Sequence, residues 1–111
     1  MSSSQVRSLA LLNRITTLQQ QLKFYEKSTD YYKQGVNAFK AYIECVRNFN
    51  NPRDLVNAYI RMAKYCENME DIPLSRELYF EALDLMKVFQ IGTKGHIRNL
   101  QHKIQSLHHF G

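Results

Sequence analysis

Glycine and proline are scarce in this chain, with four and two in 111 residues, and tryptophan is absent. Few helix breakers beside abundant Leu, Lys, Gln, Glu, Arg and Ala favour helix over sheet. No apolar run approaches the ~20 residues that cross a bilayer, so a membrane-spanning segment is not expected. The opening Met1-Ser2-Ser3-Ser4 is not a basic stretch leading into an apolar one, so a secretory signal is not expected either. Only Cys45 and Cys66 represent cysteine, with no CxxC pair. They read as reduced, buried thiols of a cytoplasmic or nuclear protein rather than as a disulfide. A Gly-rich phosphate loop, HExxH and GxSxG are all missing, which leaves catalysis without a motif.

Histidine chemistry is equally thin. His96, His102, His108 and His109 include no i,i+4 pair, and Glu77 and Glu81 share a helix face that no histidine joins. Metal binding and cofactors are therefore not expected, and the two carboxylates read as a solvated face. Acid is missing altogether after Asp84, where Lys87, Lys94, Arg98 and Lys103 stand alone. Residues 1–50 carry seven Lys/Arg against three Asp/Glu, and residues 51–84 carry four against seven. The basic ends and acidic middle can attract each other within the fold or between chains. The same basic ends, with seven Tyr and six Phe, keep nucleic-acid binding as the alternative function.

An apolar content of 44% in 111 residues sets the chain apart from disordered sequences and is enough for one modest domain. The strongest break is Asn48-Phe49-Asn50-Asn51-Pro52-Arg53-Asp54, where Asn-rich turn chemistry meets Pro52 and Asp54 is placed to cap a helix. Asp71 and Pro73 mark another helix start, and Gly92 suits its left-handed end. The expected fold class is all-α, a single domain over 1–111. It comprises an N-terminal helical region over 4–48, a helical hairpin over 54–90 (helices 54–69 and 73–90) and a C-terminal helix over 96–109.

In the N-terminal region Leu11, Ile15, Leu18, Leu22, Tyr25, Thr29, Tyr32, Val36, Phe39, Ile43 and Val46 alternate spacings of four and three. That rhythm fits one long helix facing another along its length. It also fits two helices broken near Ser28-Thr29-Asp30, three good cap residues, and Gly35 favours the break. This stripe, including Leu18 and Leu22, is expected to be covered, either by the rest of the chain or in the seam of a homo-oligomer. Ile97, Leu100, Ile104 and Leu107 form a second stripe, suited to a capping or docking helix.

Tyr59-x-x-Met62-Ala63-x-x-Cys66, followed by Ser75-x-x-x-Tyr79-x-x-Ala82, places large and small residues at helical spacing in two blocks joined by Glu70-Asp71-Ile72-Pro73. The pattern resembles the tetratricopeptide repeat, over about residues 54–87. Cys66 stands where an aromatic is usual, Ser75 replaces Ala and Lys87 replaces the closing Pro. A weaker echo, Gly35-x-x-x-Phe39-x-x-Tyr42, lies forty residues earlier, a longer period than that family's. The resemblance implies an antiparallel helical hairpin and a non-catalytic role as interaction module, adaptor or subunit of a larger helical assembly. It implies that the first helix of the hairpin lines a partner-binding face, here Asn57, Arg61, Lys64 and Asn68. Ile60 departs from the carboxylate-binding members. Arg61 and Lys64 suit an acidic peptide or an acidic helix as partner.

Overall fold

The computed structural model describes residues 2–108, and its described residues form five helices and no strand. These are α1 (Ser3–Glu26), α2 (Tyr32–Asn48), α3 (Pro52–Asn68), α4 (Ile72–Val88) and α5 (Lys94–His108). They divide into two compact units, residues 1–51 and residues 52–111. The all-α class and the antiparallel hairpins are as expected. His109, the end of the expected last helix, lies outside the described residues.

In the first unit α1 packs on α2. The break near Ser28 is present, but its three cap residues cap nothing. The Ser28 hydroxyl instead accepts from the Asp30 amide at 3.1 Å inside the loop, and Tyr31, left-handed at φ 62°, precedes α2 without a side-chain cap. Leu18, Leu22, Phe39, Ile43 and Val46 of the four-three stripe are buried. The stripe is therefore the seam of a hairpin folded on itself.

In the second unit α3 packs on α4 and α4 on α5. Ala63, Cys66, Ser75 and Ala82 are fully buried, and the Ser75 hydroxyl donates to the Ala63 carbonyl at 2.8 Å. Only small side chains let two helix backbones come within reach of one hydroxyl. Leu100, Ile104 and Leu107 are buried on α5, and the Arg76 guanidinium reaches back from α4 to the Ile104 carbonyl at 3.4 Å. Cys45 and Cys66 are free and buried.

Helix ends differ from expectation by a residue or two, for local reasons. Pro52 begins α3 because its missing N–H is an orphan donor there in any case, and Asp54 sits in the first turn, where a carboxylate suits the helix dipole. Asp71 caps α4 as expected, accepting from the Leu74 amide at 3.3 Å. Gly92 is left-handed as expected, Gln90 two residues before it is left-handed as well and is the one that stops α4, and Thr93 caps α5 by accepting from the His96 amide at 3.2 Å. Asn50, Glu70 and Gln90 each sit two residues past a helix at φ 60°, 64° and 54°. The amides of Asp71 and Ile91 then bond back to the Cys66 and Met86 carbonyls, both at 2.9 Å, which closes each helix end.

The two hairpins repeat one another. α2 and α4 have the same length, and α4 begins and ends forty positions after α2. Leu18 and Ala58, Leu22 and Met62, Gly35 and Ser75, Phe39 and Tyr79, Tyr42 and Ala82, and Ile43 and Leu83 are buried at matching positions.

Two outcomes test this packing. Ala63→Leu should overfill the α3–α4 crossing and cost about 1–3 kcal/mol in urea unfolding. Glu70→Gly should have the opposite sign, gaining about 0.5–1 kcal/mol because glycine adopts the left-handed conformation without a Cβ clash.

Candidate functional site

In the second unit α3 and α5 both pack on α4, and a groove of about 760 Å³ lies between them. Arg53, Asn57, Ile60 and Lys64 line it from α3 at spacings of four, three and four, which is one helix face. His96, Asn99, Leu100 and Lys103 line it from α5, with Tyr79 and Met86 of α4 beneath and Gly92 and Thr93 at the turn. Gly92 suits the left-handed turn there. Its φ is 84°, and a Cβ at that position would stand 2.7 Å from the Met86 methyl.

One end of the groove is tied by a three-helix network. The Glu67 carboxylate on α3 accepts from the Tyr79 hydroxyl on α4 at 3.1 Å and pairs with the Lys103 ammonium on α5, also at 3.1 Å. Burial, then the negative charge of Glu67, hold the Tyr79 phenol far above its ordinary titration range, so it stays a donor. Elsewhere the lining is cationic or neutral. Lys64 is exposed and has no ion-pair partner among the described residues, and the Asn57 and Asn99 amides are exposed. The groove thus offers ammonium and amide donors above an apolar floor of Ile60, Leu100 and Met86.

Of the four α3 residues expected on a binding face, Asn57 and Lys64 line the groove. Arg61 is half-buried on the flank of that stripe and Asn68 is exposed near the helix end, and neither lines it. Ile60, at a position that matches the family's binding face, also lines the groove. Leu18 and Leu22 are buried, at 7% and 0% exposure, and are not a free surface. Residues not anticipated are Arg53, one turn before Asn57, and His96, Asn99 and Lys103, which follow a three-four spacing beside the apolar stripe of α5. Among the described residues no three His, Cys, Asp or Glu gather to share an ion, and no helix is long and apolar enough to cross a membrane.

Comparison with family models, with curated proteins and with solved structures gives no match. The chemistry of the groove therefore stands on its own residues.

The network has an alkaline signature. Unfolded chain releases the Tyr79 proton near 10.0, whereas the folded chain keeps it to higher pH. The Tyr79 contribution is thus complete below the unfolded value and is lost as pH rises beyond it. Tyr79→Phe should lower stability by about 1 kcal/mol at neutral pH through the lost hydrogen bond. It should also flatten the fall in urea midpoint between about pH 9 and 11, because the remaining tyrosines titrate alike in both proteins.

Proposed function

We infer that this chain is a non-catalytic protein–protein interaction module, a helical-hairpin repeat protein of tetratricopeptide-like kind, whose groove between α3 and α5 takes an acidic peptide or partner segment. The observation that carries this reading is the pairing of Lys64, Asn57 and Asn99 with an apolar floor in one open groove. A charged rim above a greasy base suits an extended chain that presents a carboxylate and an aliphatic anchor together. The small residues at the α3–α4 crossing and the forty-residue repetition of the hairpin support the repeat-protein reading, since such hairpins stack and line concave faces. The two free, buried thiols support a reducing compartment, cytoplasmic or nuclear.

Nucleic-acid binding has less support. The basic residues spread over several helices without an Arg-rich cluster, and residues 52–111 hold eight Lys/Arg against seven Asp/Glu.

The test is binding of fluorescent peptides: a Glu/Asp-rich peptide with one leucine, and the same peptide with Lys for each acid. The acidic peptide should bind and the basic one should not. Lys64→Glu should weaken the acidic peptide about tenfold or more, which corresponds to about 1.4 kcal/mol, at unchanged helicity. Equal binding of the two peptides, or an unchanged affinity for Lys64→Glu, would remove the groove as the site.

A further inference from the structure

The other flank of the α4–α5 contact carries a cleft of about 560 Å³ that shares no lining residue with the groove. Arg76, Phe80, Leu83 and Lys87 line it from α4 at spacings of four, three and four, which is one helix face. Gln101, His102, Ile104 and Gln105 line it from α5. Leu83 and Ile104 are buried and form its floor, while Lys87, Gln101, His102 and Gln105 are exposed. Among the described residues no carboxylate lines the cleft. Glu77, Glu81 and Asp84 run along the next stripe of α4, and α5 holds no acid. Lys87 and His102 have no ion-pair partner among the described residues.

Arg76 is built into this cleft. Its Nε donates to the Ile104 carbonyl at 3.4 Å, and its guanidinium lies over the Phe80 ring, 5.0 Å from the centre. Two residues of the same lining thus hold the guanidinium, while its Nη hydrogens have no acceptor among the described residues. A guanidinium fixed in this way keeps its fork for the paired oxygens of an anion and has little side-chain freedom left to lose.

Shape and chemistry select the ligand. Arg76 and Lys87 stand three turns apart on α4, about 16 Å between backbones, too far for one small anion to bridge. The volume drawn out along that length is narrow, with room for an extended chain but not for a helix about 10 Å across. Gln101 and Gln105, one turn apart on α5, both donate and accept, which suits peptide groups, whereas phosphodiesters only accept. Phe80 is the one aromatic ring in the lining and Arg76 covers a face of it, so a strand of bases has no row of rings to stack on. We propose that this cleft is a second peptide-binding site, which takes an extended acidic segment with one carboxylate on Arg76 and another, four positions along, on Lys87. Four positions of extended chain span about 13 Å and return the side chain to the same side, and the reach of the two cations covers the rest. The cleft is separate from the α3–α5 groove, so it does not depend on the reading of that groove.

Fluorescence polarisation with the full chain tests it. The probe is a labelled Thr/Ser peptide with two Glu four positions apart, beside one with the two Glu adjacent and one with Gln for both. The first should bind, the second about tenfold or more weaker, and the third not at all. Lys87→Glu, and separately Gln101→Ala with Gln105→Ala, should each weaken the first peptide about tenfold at unchanged helicity, since these positions are exposed. Arg76→Lys, which keeps the charge and loses the fork, should weaken it as well. Lys64→Glu alters the groove alone and should leave this peptide unaffected. In the Lys87→Glu background the leucine-bearing acidic peptide should still lose affinity with Lys64→Glu, which separates failure of one site from failure of the other. Absence of binding, equal binding of the four-apart and adjacent peptides, or indifference to Lys87→Glu would overturn the proposal. Weakening by Lys64→Glu would overturn it too, by placing the peptide in the groove. A short single-stranded oligonucleotide that binds where the peptides do not, and is lost with Lys87→Glu, would give the cleft to nucleic acid and overturn it as well.

Discussion

The close approach of α3 and α4 is the constraint on which the second unit depends. A serine hydroxyl reaches a backbone carbonyl of the facing helix at 2.8 Å only because Ala63, Ser75 and Ala82 leave no bulk between the backbones. α4 is thereby held low against α3, and α5 covers the remaining apolar side of α4 through Leu100, Ile104 and Leu107. Two helices resting on a third leave a trough between them. The groove lies between the two helices that rest on α4.

Glu67 turns that trough into a defined shape. It accepts from the Tyr79 hydroxyl with one oxygen and pairs with Lys103 through the other, so one carboxylate fixes elements from three helices. Lys103 is committed to this pair, while Lys64 on the opposite wall is not. The two walls therefore differ: the α5 cation is engaged in the fold, and the α3 cation is exposed. In a partly exposed network of this kind the ion pair itself contributes little, about 0–1 kcal/mol, and the orientation it imposes matters more than its strength.

Much of the architecture was legible because it rests on local rules. Pro52, Asp71 and the Asn-rich loop marked helix boundaries, and Tyr59, Met62, Ala63, Ser75, Tyr79 and Ala82 marked a tight hairpin. Gly35, Phe39 and Tyr42 hinted at the repetition that several buried pairs display. Less visible was anything set by the placement of a third helix. The α5 wall of the groove, His96, Asn99 and Lys103, follows from how α5 lies against α4, which no local pattern in α3 announces. Arg53 therefore lines the groove and Arg61 does not. The left-handed ends at Glu70 and Gln90 were hidden for a different reason. Neither side chain favours that conformation, which the returning amide hydrogen bonds of the next residues maintain.

The main packings join helices that are neighbours along the chain: α1 with α2, α3 with α4, α4 with α5. Such contacts require little loop closure before they form, so each hairpin can assemble quickly and with few constraints from the rest. The turns of three residues that follow α2 and α3 shorten that search further. A chain built this way lends itself to extension or loss of a hairpin without a redesign of the others, since each carries its own seam, its own turn and its own small-residue or glycine contact. Length in such a molecule is an adjustable quantity, in the way that the number of links is in a chain.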